Sequence, residues 1–267
     1  MQEVGIHARI HVMELDVSSL QSVRKFVISF KSKNLPLNVL INNAGIMGCP
    51  FSLSQDGVEL QFATNYLGHF LLTNLLLDKM KSTAEESKIE GRIVHVSSMV
   101  HKYTYDSGIR MHKINEAAGY STHKAYGQSK LALMLHANEL SRRLTQEKAN
   151  VTINSVHPGA VATKIARHHT LLAVRLFPST QITDTFATSL FSVFLKSIAQ
   201  CFVALHPSLC KVTGKYFVDC KEAKPSSLAM DAELAENLWH FSAELALSKR
   251  SSKTLREQNQ STTSEET

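Results

Sequence analysis

Tyr126-Gly-Gln-Ser-Lys130 is the stretch of this chain whose residue types and spacing could do chemistry. On a helix, Tyr126 and Lys130 would lie four residues apart on one face, with an ammonium beside a phenol. Such a pair is an acid/base. A free tyrosine ionises near pH ~10, and a neighbouring cation favours the phenolate, which brings the proton within reach of exchange with an alcohol or a ketone. The residues that follow support a helix. Lys130 to Leu144 is rich in good helix formers, and Leu133, Ala137, Leu140 and Leu144 recur at helical spacing. The same Tyr/Lys spacing also suits a solvated helix face, so the reading depends on its surroundings.

Those surroundings are strands alternating with helices. Arg9 to Leu15 reads as a short strand ending at Asp16-Val17. Ser18 or Ser19 can cap a helix from Leu20 to Lys31 with Val23, Phe26, Val27 and Phe30 on one face, and Asn34-Leu-Pro36 ends it. Val39 to Ile41 is a buried parallel strand that runs into Asn42-Asn43-Ala44-Gly45. Gln55 to Met80 contains a long helix, broken or kinked near Gly68, and Ile93 to Val96 is the next buried strand. Val151 to Val156 continues the series, followed by a looser stretch from Ala160 to Ile182 and an apolar helical region to Leu205. A last strand is expected at Lys215 to Val218 and a last helix from Asp231 to Leu247. The pattern predicts an α/β fold, a doubly wound parallel sheet whose ligands bind at the carboxyl ends of the strands. One domain is expected over 1–247, and the polar stretch 248–267 is expected to be disordered.

Several candidate residues fall at those carboxyl ends. Small residues in Asn43-Ala44-Gly45 let the backbone approach a ligand, and an amide side chain can pin neighbouring strands. Ser97 and Ser98 both follow a strand and point oppositely, so either hydroxyl could hold a substrate oxygen. Asn65 is a poor helix former inside a predicted helix, and Asp16 reads equally as a turn or capping aspartate. The thirteen histidines, including adjacent His168 and His169, show no ligand spacing, so no metal site is expected. His95 reads as a core histidine, whereas His101 and His112 fall in a loop expected to flank the substrate mouth. A serine hydrolase would need G-x-S-x-G, which is absent.

Composition narrows the remaining classes. The chain has 267 residues, 43% hydrophobic and 19% charged, enough for one large α/β domain. Its formal charge of +6 is scattered without a run of like charge, so no nucleic-acid footprint is indicated. Cys49, Cys201, Cys210 and Cys220 follow neither a metal nor a disulfide pattern, which suits a reducing compartment. No signal or transit peptide is visible, and no apolar run reaches the ~18 residues of a membrane span.

Taken in order, Asn42-Asn43-Ala44-Gly45, Asn65-Tyr-Leu-Gly68-His-Phe70, Gly91-Arg-Ile-Val-His-Val-Ser-Ser98, Tyr126-x-x-x-Lys130 and His157-Pro-Gly-Ala-Val-Ala-Thr163 resemble the short-chain dehydrogenase/reductase family from about Asp16 to Trp239. The long Ser98 to Tyr126 interval and the run from Leu35 to Gly45 look like its retinol-dehydrogenase-like branch. Tyr126 to Arg143 is similar to plant members of that branch, including those associated with the chloroplast inner-envelope translocon.

The resemblance implies an oxidoreductase that moves a hydride between NAD(P)(H), with NADP favoured, and a small hydrophobic alcohol, aldehyde or ketone. It implies that Tyr126 transfers the proton, that Lys130 lowers its pKa and holds the nicotinamide ribose, and that Ser98, rather than Ser97, orients the carbonyl. Asn65 would hold, on its carbonyl, a water leading from Lys130 to solvent. Asp16 and Val17 would border the adenine, Asn43, Ala44 and Gly45 would line the cofactor, and Thr163 would hold the nicotinamide carboxamide. A homo-oligomer is compatible with the family, and the location by resemblance is cytoplasmic or chloroplast.

One family feature is missing from the sequence. The eleven glycines nowhere form G-x-x-x-G-x-G, and by comparison with the family the chain starts near the third strand, on the order of 60 residues in. The segment ending at Asp16 is then expected either to pair directly with Val39 to Ile41 or to hang loose, and the activity of the chain as given to be impaired. The alternative is a non-catalytic truncated isoform or a partner-binding protein.

Overall fold

The computed structural model describes residues 9–159 and 197–246. Four parallel strands set the frame: β1 (Val39–Asn42), β2 (Gly91–Val96), β3 (Val151–His157) and β4 (Tyr216–Val218). The two-residue β5 (Lys221–Glu222) turns back antiparallel on β4, and the spatial order follows the chain. Register pairs Ile41 with Val94 and Ile93 with Ile153. Parallel neighbours require long crossovers, and helices supply them. A short helix α2 (Leu60–Phe62), a π turn (Ala63–Leu67) and α3 (Gly68–Ser87) join β1 to β2, and α4 (Thr122–Gln146) joins β2 to β3.

Both faces of the sheet are covered. On one, α1 (Leu20–Ser32), α3, α4 and α6 (232–246) bury Val23, Phe62, Tyr66, Leu131, Leu133 and Leu238 in a single apolar cluster. On the other, α5 (197–205) lays Ala199 and Val203 over Val94, Val96, Val156 and Phe217. This is why β3 is buried at every position, and β2 at all but Arg92, rather than at alternating ones. The sheet with helices on both sides is the Rossmann-like α/β fold expected from the sequence. No helix among the described residues is long and apolar enough to cross a membrane.

Local departures from expectation have local causes. Residues 9–15 form no strand: Ile10 and Val12 are 84% and 94% exposed, and no strand among the described residues pairs with them. Of the two outcomes expected for this segment, it takes the unpaired one. The helix expected within Gln55 to Met80 starts at Leu60, where the Glu59 carboxylate accepts from the Gln61 and Phe62 amides. The break expected near Gly68 is the π turn just before it. Gly68 itself has an ordinary helical φ, and its missing Cβ is what admits the Val17 carbonyl, which a methyl would meet at 1.9 Å. Ser19, not Ser18, caps α1, accepting from the Ser22 amide at 3.3 Å. The looser stretch expected from Ala160, Thr163, His168, His169 and the tail 248–267 lie outside the described residues.

Candidate active site

α4 begins beside the carboxyl end of β2, which places Tyr126 and Lys130 against the residues that follow that strand. Lys130, 3% exposed, donates from Nζ to the Val96 carbonyl at 2.8 Å. Its ammonium lies 5.6 Å from the centre of the Tyr126 ring. Ser98 caps the 3-10 turn Met99–Lys102, accepting from the Val100 amide at 3.2 Å, and its side chain lies near enough to the Tyr126 phenol to favour the phenolate. Ser97 points the other way and donates to the Lys130 carbonyl at 2.8 Å. Ser97 is thus used in holding α4 to the strand, whereas the Ser98 side chain is on the Tyr126 side.

The approach of the helix to this turn depends on Gly127. A Cβ there would sit 2.0 Å from the Tyr103 carbonyl oxygen and 2.8 Å from that of Val100. Any side chain would push the Ser98–Tyr103 turn off α4 and separate Ser98 from Tyr126.

Asn65, fully buried in the π turn, ties the loop after β1 to α4. Its Oδ1 accepts from the Ile46 amide at 2.7 Å, and its Nδ2 donates to the Ile46 carbonyl and to Ser129 Oγ, each at 2.9 Å. Ser129 in turn donates to the Tyr126 carbonyl at 2.8 Å. The main-chain carbonyl of Asn65, which the resemblance assigned to a water, has His69 Nδ1 at 3.0 Å. Ser129, His69 and Gln61, whose Oε1 accepts from the Gly48 amide at 3.0 Å, were not singled out in the sequence. The signal that could have found Ser129 is a polar residue inside the buried run around Tyr126 and Lys130.

In this structure burial pushes the Tyr126 pKa up to about 12, and the Ser98 side chain pulls the other way. Four-residue spacing put ammonium and ring side by side, but the ammonium is directed to the Val96 carbonyl. Tyr126 is thus a neutral phenol at neutral pH, ready to give a proton rather than to take one.

The residues that could hold a nicotinamide dinucleotide fall into two sets. Near Lys130, Asn43 and Ala44 are exposed, and a Cβ on Gly45 would lie 3.1 Å from Asn65 Oδ1 and 3.5 Å from Lys130 Nζ. The missing side chain leaves room there for a cofactor to approach Asn65 and Lys130. Asn43 Oδ1 also accepts from Gln200 Nε2 at 3.0 Å, which links this loop to α5. Further out, Asp16 Oδ1 accepts from the Ser18 amide and hydroxyl, at 2.9 and 2.7 Å, as a turn aspartate does. Asp16 remains exposed and Val17 is packed under it. The described residues contain no glycine-rich turn for a pyrophosphate.

Comparison with known proteins agrees with this site. A family profile described as short chain dehydrogenase matches residues 1–171. The chloroplastic short-chain dehydrogenase TIC 32 A of Brassica napus is 54% identical over 244 residues, covering 90% of this chain and 73% of that one. Retinol dehydrogenase 13 of Homo sapiens is 39% identical over 241 residues, covering 90% and 70%. A crystal structure of an uncharacterised protein from Mycobacterium paratuberculosis superposes with a TM-score of 0.67 at 30% identity, covering 91% of this chain and 77% of that one. The chain belongs to the short chain dehydrogenase family, in its retinol-dehydrogenase-like branch, and is an NAD(P)-dependent oxidoreductase.

Proposed function

We propose that this chain interconverts a hydrophobic alcohol with its aldehyde or ketone, using NADP in preference to NAD. The observation that carries the reading is the assembly of Tyr126, Ser98 and Lys130 around the carboxyl end of β2. When bound, the nicotinamide supplies or takes up the hydride at the substrate carbon. In the reducing direction Ser98 Oγ donates a hydrogen bond to the substrate oxygen, and Tyr126 gives that oxygen its proton. Lys130 restores the phenol through the relay that Asn65 organises and holds the nicotinamide ribose, while Asn43, Ala44 and Gly45 line the cofactor beside it. Asp16 and Val17 border the adenine, and Thr163 completes the carboxamide site. Relatives named as retinol dehydrogenases support the hydrophobic substrate, and likeness to their branch supports NADP. The reading takes residues 1–247 as one catalytic domain.

The test is steady-state reduction of retinal at millimolar NADPH or NADH, with Tyr126→Phe as the control. The variant should lose about 10²- to 10⁴-fold in kcat while its cofactor affinity stays within a few fold, since only the transferable proton is gone. Turnover in Tyr126→Phe within threefold of the parent would overturn the assignment.

A further inference from the structure

His69 stands four residues after Asn65, where the π turn Ala63–Leu67 gives way to α3. A π turn holds an extra residue, so the carbonyls around it leave the regular i→i−4 ladder, and such turns concentrate at functional sites. The Asn65 carbonyl lies 3.0 Å from His69 Nδ1. A carbonyl oxygen can only accept, so Nδ1 carries the proton and donates it. The ring is 2% exposed. Burial lowers its pKa to about 4 against the opposing effect of the Asn65 bond, with the Lys130 charge adding to the lowering. His69 is therefore a neutral imidazole in one tautomer, close enough to Lys130 to feel its charge.

Two other buried imidazoles mark the contrast. His95 and His136 meet each other, Nε2 to Nδ1, at 2.9 Å, and Asn42 Nδ2 lies 3.1 Å from His95 Nδ1. His136 packs against Phe70 and Trp239. Among the described residues that pair makes no hydrogen bond to Tyr126, Ser98 or Asn65, and its place is in the core. His69 instead touches the one residue that is also hydrogen-bonded, through its side chain, to the Ile46 backbone and to Ser129 on α4. Asn65 is thus held at both ends, its side chain by the site and its main chain by His69.

We propose that His69 is a positioning residue of the proton relay, whose Nδ1–H fixes the direction of the Asn65 carbonyl. The proposal rests on the relay role given to Asn65 and Lys130 above. No proton passes through the ring, because its N–H points at an oxygen that cannot take one. What the imidazole contributes is aim.

The test uses the full chain and three variants. His69→Asn places an amide N–H where Nδ1–H stood, His69→Gln places one where Nε2 stands, and His69→Ala removes the donor. With retinal and millimolar NADPH, kcat should fall about ten- to a hundredfold in His69→Ala and His69→Gln, with KM within threefold. The solvent deuterium isotope effect on kcat should rise in both as proton transfer slows. His69→Asn should recover to within about threefold of the parent. Recovery by Gln instead of Asn, a change confined to KM, or a parent-like His69→Ala would overturn the proposal. Long-range proton–nitrogen spectra of histidine-labelled parent protein decide the hydrogen bond without any turnover: one Nδ1–H tautomer, unchanged from about pH 5 to 9, is expected for His69. An Nε2–H tautomer or titration near 6.5 sinks the proposal even if the enzyme is active. A parent that reduces no carbonyl, yet shows the Nδ1–H tautomer, would put the failure in the functional reading and withdraw the relay role with it.

Discussion

β1 and β2 are neighbours in one sheet, paired over four residues, and the rest of the molecule treats them very differently. β2 is flanked by β1 and β3 and covered on both faces, so that Ile93, Val94 and His95 are 1% exposed or less. β1 has one partner strand among the described residues, and its Ile41 is 39% exposed. The two strands deliver the two halves of the site. β2 runs into Ser97 and Ser98, whose side chains are buried, Ser97 donating to the Lys130 carbonyl on α4 and Ser98 accepting from the Val100 amide. β1 runs into Asn43, Ala44 and Gly45, of which Asn43 and Ala44 are open to the surface and Gly45 partly so. The proton-transfer half is built by packing that the described residues complete among themselves, whereas the cofactor half is a lip along an open sheet edge.

The largest effect that tests this contrast falls on the β2 side. Lys130→Ala should lower kcat by about 10²- to 10³-fold and also weaken NADPH binding, because the ammonium serves the relay and the ribose together. If steady-state kinetics showed a change in substrate KM alone, the relay as drawn would be wrong.

Next comes the pH dependence. Tyr126 is held at about 12 by burial, so carbonyl reduction, which needs the phenol protonated, should be flat between about pH 6 and 9. Alcohol oxidation needs the phenolate, whose fraction rises about tenfold per pH unit below the pKa. Rates of oxidation should therefore climb by roughly a hundredfold over two units. An oxidation profile that levels off near pH 7 would show that the loaded site holds the phenol far lower than the burial argument allows.

On the β1 side the corresponding measurement is cofactor affinity. The dinucleotide draws much of its binding in this fold from backbone amides and the helix dipole at the pyrophosphate, and the 267-residue chain has no G-x-x-x-G-x-G turn. Calorimetric titration of this polypeptide with NADPH should give a Kd above about 100 µM, weaker than roughly −5.5 kcal/mol. Micromolar binding would mean that another surface supplies the phosphate contacts, and the contrast between the halves would blur.

Packing at the β2 side predicts a smaller, structural effect. Gly127→Ala puts a methyl 2.0 Å from the Tyr103 carbonyl, and backbone must move to admit it. Overpacking of this kind costs about 1–3 kcal/mol, or roughly 2–12 °C in Tm for a domain of this size. Thermal unfolding with no shift in Tm would show that the Ser98–Tyr103 turn is free to lift from α4.

How far these features were readable in the sequence depended on whether they are local. α4, β2 and β3 announce themselves through apolar period and run, because each pattern meets a covering layer. Ile10 and Val12 carry the same kind of alternation, yet form no strand, since strand stability comes from cross-strand pairs and none is present for them. Tyr126 and Lys130 were legible as neighbours because helix geometry fixes residues four apart. The direction of the Lys130 ammonium was not, because its acceptor is on β2, thirty-four residues away in sequence. Asn65 shows the same limit. Its family motif gave it a role, but its partners Ser129 and Ile46 come from other segments, at separations of 64 and 19 residues.

The smallest expected effect is on the open edge itself, and it sharpens the comparison most directly. Val39 packs against the α5 layer, and Ile41, two residues on, shares its face of the sheet. Among the described residues α5 is the only helix on that face, and it leaves Ile41 partly bare. Val94, opposite Ile41 in register, is fully covered. Replacing each with serine therefore asks the same chemical question of two positions in one row. Val94→Ser should destabilise by about 2–4 kcal/mol, losing apolar burial and burying a hydroxyl. Ile41→Ser should change stability by no more than about 0.5 kcal/mol. It should also reduce self-association, because Ile41 leaves apolar surface on a strand that has no second partner among the described residues. Chemical denaturation and sedimentation velocity across a concentration series read the two effects separately. If Ile41→Ser cost as much as Val94→Ser, the open side of β1 would be a buried surface in solution, covered by a second copy or by another chain.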